Sequence, residues 1–182
     1  MSRTIKAMEE KYRQPSLDMV RRTFTNSETA EDAQTVVDLI EEIRSMSTYV
    51  PELELIMADE NDEVIGYAMF SRFHLGGKYM DELLLLSPVA VKTELQRQHI
   101  SKELIGYGFE KAKEIGFKAV IVEGNPQNYR SRGFKTSADY GIVAGESVGL
   151  PAVECMMVKE LCENALDHIS GVVEYSEYKS LK

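Results

Sequence analysis

The stretch LLLLSPVAVKTELQRQHISKELI, residues 83–105, predicts a buried strand, a short polar turn and the start of an amphipathic helix. The nearly continuous apolar run of residues 82–91 is typical of a strand in the middle of a sheet, covered on both faces. Pro88 lies inside this run and cannot donate a backbone hydrogen bond, so we expect a bulge or a local splay there. After the turn, apolar residues recur with helical spacing as far as Ile115, and Gly116 is placed to end the helix.

The junction of strand, turn and helix is suited to binding a phosphate group. The first N–H groups of a helix have no partner within the helix, and the helix dipole is positive at that end. Arg97, His99 and Lys102 can place positive charge there, in a chain whose formal net charge is −9. His99 and Ser101 occupy positions where glycine usually lets the backbone approach a ligand. The pattern indicates an anion site, with an ordinary solvated helix start as the alternative.

The remainder of the chain alternates between helical and strand patterns, which predicts a mixed α/β sheet. We find no repeat, low-complexity tract or linker, so residues 1–182 are expected to form a single domain. Around the central strand and helix, the predicted elements are helices at 15–24, with Pro15 in the first turn, and at 27–45; a hairpin of strands at 52–60 and 64–73; strands at 118–124 and 152–161; a loop at 125–134; and a short helix with an extended piece at 163–178.

Composition limits the classes of partner and compartment. The net charge of −9 argues against nucleic acid or an anionic membrane as the main partner, because both bind positively charged surfaces. No apolar run approaches the roughly 18 residues of a membrane span, and the polar N-terminus lacks the apolar core of a signal peptide. Cys155 and Cys162 form no metal-binding or disulfide pattern, so neither a metal nor a disulfide is expected. We therefore expect a protein of the reducing cytoplasm.

The segment after the central strand resembles a known superfamily. Residues 89–105, VAVKTELQRQHISKELI, resemble the acetyl-CoA-binding segment of the GNAT superfamily of N-acetyltransferases. In that segment a strand leads into Gln/Arg-x-x-Gly-x-Gly/Ala at the start of a helix. Gln96 matches the first position and Ile100 the apolar position, whereas His99 replaces the first glycine and Ser101 the second small residue.

The likeness extends over nearly the whole chain. Residues 125–134, NPQNYRSRGF, resemble the family's loop in which a tyrosine precedes Gly-Phe. The tail, with EYSEY after SGVV, resembles a bacterial subgroup of predicted acetyltransferases with unassigned substrates. The resemblance implies a GNAT-like α/β (α+β) fold, with a mixed, mostly antiparallel central sheet that is flanked by helices and splayed at the cofactor-binding strand.

The resemblance also implies an activity. An acetyl-CoA-dependent N-acetyltransferase would use acetyl-CoA as co-substrate and a primary amine of a small molecule or protein as acceptor, and a homodimer through the C-terminal strands would fit the family. The alternative is a scaffold that holds an acyl-CoA as a sensor or partner subunit without turnover. Tyr129 and the basic turn favour the enzyme, and His99 favours the scaffold.

Site residues follow from the resemblance. The backbone of residues 89–91 would pair with the pantetheine arm, and one of its N–H groups would polarise the thioester carbonyl. Tyr129 is the candidate general acid, with simple packing as the alternative. Glu82, at the start of the central strand, either faces the cleft as a base or only marks the solvated end of the strand. The implied cofactor-binding residues are Val89, Ala90, Val91, Gln96, Arg97, Gln98, His99, Ile100, Ser101, Lys102, Asn125, Tyr129 and Arg132.

Overall fold

A seven-stranded sheet forms the centre of the structure, a computed structural model that describes residues 2–182. The strands are β1 (Arg3–Ala7), β2 (Glu54–Asp59), β3 (Val64–Arg72), β4 (Leu83–Val91), β5 (Ala119–Glu123), β6 (Lys135–Thr136), β7 (Ile142–Ala144), β8 (Met156–Glu160) and β9 (Gly171–Val173). The main sheet has the order β1-β2-β3-β4-β5-β8-β6, and only β4 and β5 are parallel neighbours in it. β7 and β9 form a separate parallel pair. The predicted mixed, mostly antiparallel sheet is confirmed.

Helices cover both faces of the main sheet. They are α1 (Glu10–Ser27), α2 (Ala30–Arg44), α3 (Ile100–Ile115) and the short α4 (Pro126–Tyr129). Because side chains alternate along a strand, each central strand contributes to two apolar clusters. Tyr67 and Met69 pack on the face covered by α1 and α2, whereas Ile65 and Phe70 pack on the face covered by α3.

The predicted bulge and splay both occur on β4. Ala68 of β3 pairs with Val89 and Phe70 pairs with Leu86, so Ser87 and Pro88 together stand opposite one residue of β3. On the other edge, pairing with β5 ends at Leu85, although β4 continues to Val91. The second half of β4 therefore has an edge that β5 does not cover.

The first turns of α3 lie unusually close to β3, which sets the position of the helix beside this edge. A Cβ atom at Gly66 would be 2.8 Å from both Ile100 Cγ2 and Leu104 Cδ1, so only glycine permits this approach. Gly116 ends α3 in the left-handed region, with φ of 115°, as the sequence predicts.

Several element boundaries differ from the prediction. α1 begins at Glu10, so Pro15 lies in the helix interior and not in the first turn. Burial of Tyr12 and Leu17 against the sheet outweighs the hydrogen bond that proline cannot make, and Pro15 itself is exposed. Elsewhere β1 was not predicted, the loop at 125–134 contains α4, and the strand predicted at 152–161 is confined to Met156–Glu160.

A buried ion pair joins α2 to the sheet. The carboxylate of Glu54, at the start of β2, is fully buried and lies 2.7 Å from Arg44 Nη2 at the end of α2. The hydroxyls of Tyr49 and Tyr67 donate to its two oxygens, each at 2.6 Å. The charge is thus neutralised and hydrogen-bonded on all sides, which is the condition under which a carboxylate tolerates burial.

Candidate active site

A cleft of about 540 Å³ opens where β4 separates from β5. Val89–Val91 form its floor, the turn before α3 and the first turn of that helix form one wall, and the α4 loop forms another. The last turns of α1 close it through Thr23, Phe24 and Ser27, which sequence reasoning missed. The predicted residues that line it are Val89, Ala90, Val91, Gln96, Arg97, His99, Ile100, Ser101, Tyr129 and Arg132.

The free edge of β4 presents backbone N–H groups to the cleft. Lys92 N–H donates to the Ile65 carbonyl at 2.9 Å, which fixes the alternation of hydrogen-bonded pairs between β3 and β4. Val89 and Val91 therefore direct their N–H groups away from β3, toward the gap. The Val91 carbonyl accepts hydrogen bonds from Thr23 Oγ1 and Gln96 Nε2, both at 3.3 Å. This edge offers donors to an extended polar chain in the way that an added strand would.

The N-terminus of α3 offers a second set of donors. Within residues 2–182, the N–H groups of Ile100, Ser101 and Lys102 have no backbone acceptor, and the first capping bond is Glu103 N–H to the His99 carbonyl at 3.0 Å. Arg97 also lines the cleft and forms no ion pair in the described part of the chain. Unpaired donors and positive charge together suit an anion.

His99 adopts the backbone conformation that a glycine would adopt at this position. Its φ is 65° and its ψ is 14°, in the left-handed region, and Arg97 has φ of 64°. The replacement of glycine therefore preserves the path of the turn, at a strain of about 1–2 kcal/mol for each such residue. His99 is exposed and is one of the residues that line the cleft.

We predict that His99→Gly raises the free energy of unfolding by about 1 kcal/mol, because glycine relieves left-handed strain but loses more backbone entropy on folding. Urea denaturation measures the change. His99→Ala is the matched control, since alanine keeps the strain and should give no gain. An equal gain from both variants would show that the side chain, and not the backbone conformation, causes the effect.

Arg3 of β1 holds this turn in place from a distance of 95 residues in sequence. Its guanidinium donates to the Gln98 carbonyl at 3.0 Å and to both carboxylate oxygens of Glu103, at 2.6 and 3.2 Å. The two anchors lie on either side of His99 and thus fix the start of α3. Nothing local in the sequence signals this contact, because it depends on β1 pairing at the sheet edge.

Arg132 joins the α4 loop to the start of α3. Its Nη2 donates to Ser101 Oγ at 2.7 Å, its Nη1 donates to the Asn128 carbonyl, and its Nε is buried without a hydrogen-bond partner in residues 2–182. The guanidinium carbon lies 5.9 Å from the centre of the Tyr129 ring. A second positive charge is thereby held beside the helix N-terminus and next to the only phenol that lines the cleft.

Tyr129 is placed by close packing. A Cβ atom at Gly124 would be 2.6 Å from Tyr129 Cε2, so the ring lies directly against the glycine backbone. On its other side the ring packs edge-on against Phe134, with 5.7 Å between centroids. Burial raises the pKa of Tyr129, an effect that the Arg132 charge opposes. The phenol therefore keeps its proton at neutral pH and can act as a donor.

Four of the predicted site residues do not line the cleft. Glu82 precedes Val89 by roughly 23 Å of strand, and its carboxylate contacts His168 at 3.1 Å and Lys118 at 3.4 Å. Those two partners, His168 first, lower the pKa of Glu82. The geometry therefore favours the solvated strand end over a base in the cleft. The other three residues are Gln98, held through its carbonyl; Lys102, which lines another pocket; and Asn125, which caps α4.

Comparison with known proteins identifies the class of protein that this fold and cleft define. Residues 17–137 match the Acetyltransferase (GNAT) family, and the chain belongs to that family. The Escherichia coli K12 protein YhbS, an uncharacterized N-acetyltransferase, is 30% identical over 166 residues, which cover 90% of this chain and 91% of the relative. A second E. coli K12 protein, the uncharacterized N-acetyltransferase YjhQ, is 28% identical over 68% of this chain and 69% of the relative.

Solved structures show the same fold. The structure of E. coli YhbS in complex with CoA has a TM-score of 0.83 at 24% sequence identity and covers 97% of this chain and 91% of its own. A GNAT-family acetyltransferase from Brucella melitensis, in complex with acetyl-CoA, has a TM-score of 0.76 at 18% identity and covers 100% and 99% of the two chains.

Two further properties concern the described residues. Across residues 2–182, no helix is long and apolar enough to cross a membrane. Over the same range, no group of three or more His, Cys, Asp or Glu side chains is arranged to hold a metal ion.

Proposed function

We propose that this protein transfers the acetyl group of acetyl-CoA to a primary amine of a small molecule or a protein. One observation carries the proposal: the cleft joins the free N–H edge of β4, the positively charged start of α3 and the phenol of Tyr129 in one continuous space. Relatives of known structure support the choice of cofactor, since one contains CoA and another acetyl-CoA.

The residues of the cleft fit such a molecule. Val89 and Val91 offer N–H groups to the amide-bearing pantetheine arm. The N–H groups of Ile100 and Ser101 and the guanidinium groups of Arg97 and Arg132 suit the negatively charged pyrophosphate, and no carboxylate lines the cleft. When bound, acetyl-CoA supplies an acetyl group activated as a thioester.

The chain's own groups then perform two tasks. An N–H of Val89 or Val91 donates to the carbonyl oxygen, where negative charge develops during attack. The amine must be neutral to attack, so its ammonium form first releases a proton to water. The nitrogen–carbon bond forms as the carbon–sulfur bond breaks, and Tyr129 Oη gives its proton to the departing sulfur. The second proton of the nitrogen passes through water to the Tyr129 oxygen and restores the phenol. The net reaction releases one proton per amide formed.

The alternative function, a scaffold that holds an acyl-CoA without turnover, was favoured by His99 alone. The left-handed backbone and the exposure of His99 support the enzyme, because the turn keeps the path that a glycine would give it. The enzyme is therefore the function we propose. Three further expectations stay predictions: a homodimer through the C-terminal strands, a single domain and a cytoplasmic location.

Thermal unfolding with acetyl-CoA tests the proposal. Ligand at 100 times its dissociation constant should stabilise the protein by about 2.7 kcal/mol, equivalent to a rise of roughly 5–11 °C in Tm for a chain of this size. A panel of primary amines, monitored for release of free CoA thiol, then tests turnover. The enzyme proposal fails if millimolar acetyl-CoA leaves the Tm unchanged. Stabilisation without thiol release from any amine would instead support the scaffold.

A further inference from the structure

Glu123 lies at the open end of β5, across the gap from the bulge of β4. Leu85 is paired with Ile121 in parallel register, so two residues further along Ser87 and Glu123 stand on opposite sides of the splay. Ile121 packs on the α1 and α2 face, and alternation places Glu123 on the same face. Tyr129 packs against the cluster on the α3 face. The two groups therefore approach the gap from opposite faces of the sheet.

A pocket of about 350 Å³ lies at this end of β5. Gly124 lines the pocket, and the Tyr129 ring, which lines the cleft, lies directly against the same glycine. Glu123 is the only carboxylate in its lining. The full lining is Glu123, Gly124, Asn125, Pro126, Pro151 and Cys155.

The Glu123 carboxylate is oriented but not neutralised. Tyr175 Oη donates to Glu123 Oε1 at 2.9 Å, and no lysine, arginine or histidine in residues 2–182 forms an ion pair with this carboxylate. Tyr175 is held by the tail, whose Lys179 and Ser180 N–H groups donate to the Glu42 carboxylate at 2.7 and 3.0 Å. The remaining acceptor positions of the carboxylate are thus available to a cation.

We propose that this pocket binds the acceptor, with the Glu123 carboxylate holding the ammonium form of a primary amine. The inference rests on the proposed acetyl transfer and specifies its substrate class: an amine that is cationic at neutral pH. Glu123 holds the amine on one face of the sheet, and Tyr129 serves the sulfur from the other. Glu82, the candidate base of the sequence analysis, does not line this pocket.

Cys155 lines the pocket and serves as a native reporter of its charge, with the exposed Cys162 as an internal control. The full-length protein is treated separately with 2-aminoethyl and 2-sulfonatoethyl methanethiosulfonate, and the labelling rate of each cysteine is followed by peptide mass spectrometry. Glu123→Gln should lower the ammonium-to-sulfonate rate ratio at Cys155 by about tenfold, because one lost unit charge affects both reagents in opposite directions. The ratio at Cys162 should stay within about twofold of wild type.

Two control variants distinguish loss of the Glu123 charge from a structural disturbance of the pocket. Tyr175→Phe keeps the carboxylate and should leave the Cys155 ratio within about twofold of wild type. Glu114→Gln removes an exposed carboxylate on α3 and should leave the labelling ratios at Cys155 and Cys162 unchanged. The proposal is overturned if Glu123→Gln leaves the Cys155 ratio unchanged, or if Glu114→Gln lowers it equally.

Turnover gives the second readout. With any amine that the thiol-release panel identifies, Glu123→Gln should raise the KM for the amine at least about tenfold, and acetyl-CoA should bind with unchanged affinity. An unchanged KM would overturn the acceptor site. The labelling experiment requires no acetyl-CoA, so a failure of the proposed acetyl transfer is recognised separately, by the absence of thermal stabilisation or of thiol release.

Discussion

Tyr129→Phe is expected to lower kcat by about 10²–10⁴-fold, the usual contribution of a positioned general acid. The fold should be unaffected, because Tyr129 Oη has no hydrogen-bond partner in residues 2–182 and its removal leaves no buried group unpaired. The ring itself, packed against Gly124 and Phe134, is retained by phenylalanine. The measurement is thiol release with an accepted amine at saturating acetyl-CoA.

Two further variants test whether the position of the Tyr129 hydroxyl matters as well as its presence. Gly124→Ala places a methyl group 2.6 Å from the ring and should displace the hydroxyl, with an expected loss of about 10²-fold in kcat although the phenol is still present. Tyr107→Phe, on α3 and outside the cleft, is the matched control and should leave kcat unchanged. Full activity in Tyr129→Phe would refute the acid assignment and leave Tyr129 a packing residue.

Arg44→Met is expected to lower the free energy of unfolding by about 3–5 kcal/mol, the cost of leaving a buried charge without its partner. The Glu54 carboxylate is fully buried and would keep only the hydroxyls of Tyr49 and Tyr67. Urea denaturation at neutral pH measures the loss.

The control for this prediction is an exposed ion pair in the same chain. Arg13 and Glu10 lie 3.2 Å apart on the surface of α1, and Arg13→Ala should change the stability by no more than about 1 kcal/mol. The double variant Arg44→Met, Glu54→Gln should recover part of the loss, since the amide carries no charge. A loss below about 1 kcal/mol in Arg44→Met would show that water reaches Glu54.

The sequence predicts those parts of the site that lie within one continuous segment. Residues 83–105 contain the buried strand, the bulge at Pro88, the turn and the helix start, and each of these is local enough to leave a pattern. Gln96, His99 and Ser101, which the motif predicts as cofactor-binding residues, line the cleft. The sequence left both interpretations of Glu82 open, because alternation specifies the face of a strand and not the end at which a site lies.

Site residues outside residues 83–105 leave no comparable local pattern in the sequence. Arg3 and Thr23 reach the turn and the end of β4 only after β1 and α1 pack against the sheet. Glu123 ends an apolar run that predicts a strand, and a polar residue at the end of a buried strand is usually only its solvated end. Its relation to Ser87 and Tyr175 depends on the parallel register of β4 and β5 and on the course of the tail.

By itself, then, the sequence determined the central strand, the proline bulge, the α3 start and the membership of a mixed α/β class, because hydrophobic period, proline chemistry and helix signals act over a few residues. Only the tertiary structure decided that His99 takes a glycine-like conformation, that Glu54 requires Arg44, and that Glu123 and Tyr129 flank one gap from opposite faces. Those outcomes depend on packing between segments far apart in the chain, where close approach at glycine and the burial of charge select one arrangement.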